Sequence, residues 1–176
     1  MGLKGQIANL QDFSSSHFPA FDFHIHTSWT DGANTPAEMH DEAVKCGLEV
    51  ILFSEHGRKT SGDWFPEFAE EIRILPTDEC RALVGLETKV EDIEGNIDTT
   101  DEILGSCDLV MASVHRFPGK DGKPIAFADV DPDEAVDIEF ELAMSVLENP
   151  AIDILGHPFG MSYKRHKATP GESRLK

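Results

Sequence analysis

Five short apolar runs recur along the chain, and they constrain its fold more than any other feature. Each run is continuously apolar over most of its length, as in a strand that is buried on both faces of a sheet. Helix-like segments separate the runs, and this alternation is typical of parallel α/β folds. The predicted strands cover residues 20–26, 48–57, 80–90, 107–115 and 151–158.

The intervening segments carry the capping residues of helices. Residues 35–47 have Thr35 as a candidate N-cap and Pro36 in the first turn. The clearest helix covers residues 131–148, where Asp131 is the candidate N-cap and acidic residues favour the helix start. We therefore expect helices on the connections between parallel strands.

Two further segments are weaker. Residues 63–79 are interpreted as partly helical, with breaks at Pro66 and Pro76, and residues 101–104 as a single helical turn. Residues 1–19 are mixed in character and are interpreted as an N-terminal extension. The remaining length suits one domain, which is predicted to cover residues 20–176.

The composition is that of a globular chain with an unusually acidic charge. Hydrophobic residues make up 40%, charged residues 27%, and the formal net charge is -18. This charge disfavours nucleic acid and anionic membrane surfaces as partners. Three cysteines without a CxxC pair, and no apolar run near the ~18 residues of a membrane span, lead us to expect a soluble cytoplasmic protein.

Ionisable side chains stand at the carboxyl ends of all five predicted strands. Functional side chains converge at this end in parallel α/β barrels. A single histidine there is usually a satisfied or surface residue, but buried strands rarely choose ionisable groups repeatedly without compensation. The set therefore predicts a metal site. Its members are His24, His26, His56, Glu87, His115 and His157.

The first strand is expected to have one face for ions and one for packing. Side chains alternate along a strand, so His24 and His26 project to the same side, about 6–7 Å apart, and can bind one ion. Phe21, Phe23 and Ile25 then point toward covering helices.

Downstream residues extend the predicted metal site. Glu87 can bridge the first ion and a second one, since a carboxylate has two oxygens, and His115 with His157 would complete the second. Asp31 with His56 could hold a third ion.

Two arginines are candidates for binding a substrate phosphate. Arg116 follows His115 directly, and its guanidinium can bind a phosphate bidentately. Arg58 follows His56 by two residues and equally suits an exposed surface cation. By contrast, His40 lies in the first predicted helix and is expected to be solvated or to act as a cap.

Taken together, these residues resemble the PHP family (polymerase and histidinol phosphatase domains). The matching segments are "DFHIHTSWTDG", "FSEHG", "GLETKV", "ASVHR" and "LGHP", over roughly residues 20–160. The resemblance implies a distorted (β/α)7 TIM-like barrel with two or three Zn, Mn or Fe ions at its carboxyl-end rim. It also implies phosphoester hydrolysis by metal-activated water, with Glu87, His115 and Arg116 as catalytic residues.

The chain departs from the family pattern at two points. The second motif is usually "TDH", and here Glu55 replaces the aspartate while the ligand His56 is kept. The family also has a late Asp-x-His pair on a final strand, and no such pair precedes Lys176. The barrel is therefore expected to be incomplete at the carboxyl end.

The function predicted on this basis is a metal-dependent phosphatase, similar to histidinol phosphatases, that acts on a small phosphorylated metabolite. A nuclease or phosphodiesterase of the same family is an alternative, although the acidic charge favours a small substrate. A metal-dependent amidohydrolase, with Lys89 near the site, and a non-catalytic metal-binding domain are further alternatives. Substrate, metal and oligomeric state stay open.

Overall fold

A computed structural model describes residues 19–118, 123–126 and 129–171. The extension proposed for residues 1–19 therefore lies outside the described residues, apart from its last position. The helices and strands in chain order are β1 (Phe21–Ile25), α1 (Pro36–Lys45), β2 (Val50–His56), α2 (Phe65–Arg73), β3 (Arg81–Lys89), α3 (Asp101–Ser106), β4 (Leu109–Ser113), β5 (Phe117–Pro118), β6 (Pro124–Ile125), α4 (Pro132–Leu147), β7 (Ile154–Leu155) and α5 (Gly160–His166).

Five strands form one sheet in the order β1-β2-β3-β4-β7. β1 pairs in parallel with β2, and β4 pairs in parallel with β7. The strand order follows the chain without the reversal that defines doubly wound sheets, which is the arrangement of a barrel sheet. β5 and β6 form a separate antiparallel pair. The predicted parallel α/β class is confirmed.

By its internal contacts the chain divides into two compact units. The first consists of Met1–Leu86 and Thr100–Val110, and the second of Glu87–Thr99 and Met111–Lys176. Of the helices in the described ranges, none has the length and apolar character needed to cross a lipid bilayer.

The first unit is built around the buried strand β2. Ile51, Leu52 and Phe53 have no solvent exposure, and burying side chains of this size stabilises a fold by roughly 1.5–3 kcal/mol each. Gly85 of β3 packs directly on Leu52, and a Cβ at this position would lie 2.6 Å from the Leu52 side chain. Glycine therefore allows the two strands to approach each other.

The second unit has its core on the inner face of α4. Ala135, Leu142 and Val146 pack with Phe117 and Val90 in one cluster of buried apolar side chains. As predicted, Asp131 caps the helix, and its carboxylate accepts a hydrogen bond from the Asp133 backbone N–H at 2.9 Å. The clearest helix of the sequence is therefore the element that organises this unit.

Three expectations about local structure are wrong. Pro66 does not break a helix but lies in the first turn of α2, where proline is well tolerated. Phe21 is 46% exposed and its ring packs on Phe23, with 4.6 Å between the centroids, because β1 is the end strand of the sheet. His40 is buried rather than solvated, and its Nε2 lies 3.0 Å from the Cys80 carbonyl oxygen.

Candidate metal centres

In the first unit, His26, Asp31 and His56 come together where β1 and β2 end. His26 follows the last residue of β1, His56 is the last residue of β2, and Asp31 lies in the intervening loop. Asp31 Oδ1 lies 3.8 Å from His26 Nδ1, and Asp31 Oδ2 lies 3.4 Å from His56 Nε2. The two imidazoles stack with 4.4 Å between their centroids. Together these three residues offer ligand atoms that lie within 4.8 Å of one another.

His24 lies beside this group. Its ring centroid is 5.0 Å from that of His26, with a tilt of 60° between the rings. The pairing of β1 with β2 shifts register between Asp22 and Ile25, and such irregularities in a strand re-aim its side chains. The structure therefore brings together both histidines of the HxH motif, with Ile25 buried between them in the chain.

The loop between His26 and Asp31 is closely packed. Thr27 donates its backbone N–H to Glu55 Oε1 at 2.6 Å, and the Thr30 hydroxyl donates to Glu55 Oε2. A Cβ at Gly32 would lie 2.3 Å from the His26 carbonyl oxygen, so only glycine lets the chain return this close. In the sequence, Glu55 stands out only as a departure from a motif, without an assigned role, although a carboxylate inside an apolar strand is itself a signal.

In the second unit, Glu87, His115 and His157 converge on one point. Glu87 Oε1 lies 3.2 Å from His115 Nε2 and 2.9 Å from His157 Nε2, and the two imidazole nitrogens are 3.3 Å apart. A tetrahedral zinc ion with bonds of 2.0–2.1 Å has neighbouring ligand atoms about 3.3 Å from one another. At 2.9–3.3 Å from one another, the three ligand atoms lie close to this spacing.

Electrostatics in this second group favour a cation. Glu87 is buried in β3. The hydrogen bond between His157 and Glu87 raises the pKa of His157 above its ordinary value. The negative charge of Glu87 also raises this pKa, whereas burial lowers it. A buried carboxylate that faces two imidazoles thus stabilises positive charge, whether a proton or a metal ion carries it.

The backbone around His157 has an uncommon conformation. His157 has φ of 23° and Phe159 has φ of 62°, which are values that non-glycine residues rarely adopt. Gly160 donates its backbone N–H to the His157 carbonyl oxygen at 2.9 Å. Strain of this kind clusters at functional sites because the surrounding structure must enforce it.

A buried carboxylate on α4 fixes the segment that follows. Glu139 accepts hydrogen bonds from the Ser162 N–H at 2.8 Å, the Ser162 hydroxyl at 2.6 Å and the Met161 N–H at 3.2 Å. The sequence patterns described above do not single out Glu139. Its position is nevertheless a signal of burial, because Glu139 falls on the helix face that also carries Ala135 and Leu142.

The two arginines occupy different environments. Arg58 is exposed, and its backbone N–H donates to the Ser61 hydroxyl at 3.0 Å. Arg116 is half-buried and follows His115 directly. Their phosphate-binding roles stay predictions.

The donor atoms of both groups suit a divalent ion. They are imidazole nitrogens and carboxylate oxygens, which zinc, manganese and iron all accept. None of the three cysteines, Cys46, Cys80 and Cys107, is in a disulfide, in agreement with the sequence. By the chemistry of the donor set, each group therefore fits one metal ion.

The chain is similar to proteins of known family. The PHP domain model matches residues 22–171. A probable phosphatase of Thermoanaerobacter sp. strain X514 is 31% identical over 140 residues, covering 78% of this chain and 53% of that protein. The DNA polymerase/3'-5' exonuclease PolX of Bacillus subtilis is 26% identical over 147 residues, covering 79% of this chain and 23% of that protein. The chain thus spans about half the length of the phosphatase it matches.

A solved structure shows the same fold. It is the histidinol phosphate phosphatase of Lactococcus lactis, in complex with zinc, L-histidinol and phosphate. The TM-score is 0.59 at 21% identity, and the match covers 89% of this chain and 62% of that chain.

Proposed function

Because this chain belongs to the PHP domain family, we propose that it is a metal-dependent phosphoesterase acting on a small phosphorylated metabolite. Its fold is the α/β fold of an incomplete TIM-like barrel of that family. The observation that carries the proposal is the convergence of Glu87, His115 and His157, whose ligand atoms lie 2.9–3.3 Å apart. Residues 20–176 form the proposed hydrolase domain.

Each group of side chains holds at least one Zn, Mn or Fe ion in this proposal. In the first unit, the proposed ligands of the ion are His26, Asp31 and His56, with His24 beside them. In the second unit, the proposed ligands are Glu87, His115 and His157. Divalent ions supply two effects when bound, since they lower the pKa of a coordinated water and neutralise phosphate oxygens.

Protein side chains then orient the reacting groups. Glu87 would supply the negative charge that holds the cation, and His115 would supply an imidazole nitrogen, which lies 3.2 Å from Glu87 Oε1. Arg116, next to His115 in the chain, is proposed to bind phosphate oxygens in a bidentate manner. Arg58, in the exposed loop after β2, is the other arginine proposed for phosphate binding.

The substrate class follows from charge. With a net charge of -18, the chain repels a polynucleotide on average, whereas a small monoester carries few charges for the site to neutralise. The similarity to a probable phosphatase supports the same choice. A nuclease is the second candidate, and the similarity to PolX favours it.

The test is phosphate release from a panel of small monoesters with Mn²⁺ or Zn²⁺, with and without chelator. We expect metal-dependent release that His24→Ala reduces and that the exposed control Glu141→Gln leaves unchanged. A labelled single-stranded oligonucleotide is assayed in parallel at two salt concentrations. Release that survives both chelation and His24→Ala would refute the proposal, and cleavage of the oligonucleotide alone would favour the nuclease.

A further inference from the structure

Glu55 is a fully buried carboxylate one residue before His56. Burying a carboxylate is costly unless polar groups compensate for the lost water. Its Oε1 accepts the Thr27 backbone N–H at 2.6 Å, and its Oε2 accepts the Thr30 hydroxyl. Both hydrogen bonds therefore go to the loop that follows β1, and each oxygen binds a different residue of that loop.

The same loop folds back on itself around Asp31. The Thr27 carbonyl oxygen accepts hydrogen bonds from the Thr30 N–H at 3.1 Å and the Gly32 N–H at 2.9 Å. Asp31 thus lies between two residues whose backbones are fixed. Its own side chain is 64% exposed, yet it faces His26 and His56. An exposed carboxylate has many rotamers and strong hydration, so the backbone beneath it must be fixed for it to serve as a ligand.

We propose that Glu55 is a positioning residue that holds the loop of residues 27–32 so that Asp31 can bind an ion with His26 and His56. The inference rests on the proposed metal-dependent function, and it assigns a role to the residue that departs from the "TDH" pattern. An aspartate at this position is shorter by one methylene, so from the same backbone its oxygens would lie farther from the two loop partners of Glu55. The longer side chain and the threonine at position 30 therefore act together.

The loop contains its own spectroscopic reporter. Trp29 lies between Thr27 and Thr30, and its indole N–H donates to Glu71 Oε2 at 2.7 Å. The chain has two tryptophans, and the other, Trp64, stacks on Trp29 with 5.9 Å between centroids. In a Trp64→Phe background, Trp29 is the sole indole, and quenching of its emission by Co²⁺ reports binding next to this loop.

The experiment titrates Co²⁺ into the metal-free Trp64→Phe protein and follows Trp29 emission. The quenching phase that His56→Ala abolishes belongs to the group formed by His26, Asp31 and His56. We expect Thr30→Val and Glu55→Met, which removes both acceptor oxygens at similar side-chain length, each to weaken Co²⁺ binding in this phase by about 10- to 100-fold, as for other residues that orient metal ligands.

Three comparisons decide the outcome. Thr30→Ser keeps the hydroxyl and should therefore bind Co²⁺ with an affinity close to that of the parent. Ser28→Ala, an exposed change in the same loop, should have no effect on this affinity. Equal weakening by Thr30→Val and Thr30→Ser would overturn the proposal. Unchanged affinity in Glu55→Met would also overturn it, because Thr30→Val by itself also removes the hydroxyl that lies 3.4 Å from Asp31 Oδ1. Far-UV circular dichroism confirms that each variant is folded.

The result is independent of catalysis. If the parent protein releases no phosphate from any ester but the Co²⁺ affinities follow the expected order, the proposed function fails while the role of Glu55 stands. If no quenching phase depends on His56, the inference itself fails.

Discussion

The Oε1 atom of Glu87 lies 2.9 Å from the Nε2 atom of His157. The same oxygen lies 3.2 Å from His115 Nε2, and the carboxylate is buried. A buried negative charge with two imidazole neighbours needs a positive charge nearby, either a proton on an imidazole or a bound metal ion. The most informative substitution therefore removes the charge of Glu87 and keeps the shape of its side chain.

Glu87→Gln should weaken Mn²⁺ binding by at least about 100-fold, the upper end of what loss of an outer-shell partner costs. Glutamine has nearly the same shape but no charge, so packing in β3 is preserved while attraction for the cation is lost. Equilibrium dialysis with Mn²⁺ measures the effect, and Glu94→Gln, an exposed change in the same unit, is the matched control. Wild-type affinity in Glu87→Gln would rule out this carboxylate as a ligand.

Two histidines of the first unit should respond in opposite ways to the same substitution. His40 is buried and its Nε2 lies 3.0 Å from the Cys80 carbonyl oxygen, so His40→Gln should lower the free energy of unfolding by about 1–2 kcal/mol and leave metal content unchanged. His56→Gln should lower metal content with little change in the stability of the metal-free protein.

Urea unfolding in chelator and elemental analysis of the dialysed protein separate these two effects. Loss of metal from His40→Gln together with retention in His56→Gln would exchange the structural and ligand roles assigned to the two residues.

Glu139→Gln should destabilise the fold by about 1.5–3 kcal/mol, as expected for buried hydrogen bonds to a charged group. The amide can accept through only one of its atoms, so at least one of the bonds to Met161 and Ser162 is lost. Urea unfolding measures the change, and Glu141→Gln on the exposed side of α4 controls for the loss of one charge. Equal stability of the two variants would show that Glu139 does not anchor α5.

Thiol reactivity tests the burial of Cys80 in the first unit. Burial raises the pKa of Cys80, and a raised pKa leaves less thiolate to react at a given pH. Cys46 is exposed and should react first with Ellman's reagent at pH 8, whereas Cys80 should react only on unfolding. Cys107 is half-buried and should react more slowly than Cys46. Cys46→Ser should therefore remove the fastest phase, and a phase of the same rate that persists in this variant would contradict the placement of these thiols.

The sequence predicts the parts of this structure that depend on local pattern. The apolar runs predict the strands because buried parallel strands must be apolar on both faces, and Asp131 predicts the start of α4 because its carboxylate satisfies a free N–H. The residues that form the candidate centres are also predictable, since ionisable side chains at strand ends are rare without a partner.

What the sequence does not predict depends on tertiary contacts. The seventh strand is limited to Ile154–Leu155, although the apolar pattern of residues 151–158 is longer. The short pair β5–β6 and the helix α5 carry no periodic signal of their own. Glu55 and Glu139 are buried because distant backbone N–H groups and hydroxyls reach them, and pattern alone does not identify those partners.

The most direct test of metal-dependent phosphoester hydrolysis is to titrate Mn²⁺ into chelated protein while measuring bound ion and released phosphate in the same samples. We expect no phosphate release from a small monoester before Mn²⁺ is added. Release should then rise in proportion to ion bound, and Glu87→Gln should suppress both. Phosphate release that is already present in chelator, or that does not change as the ions bind, would contradict metal-dependent hydrolysis.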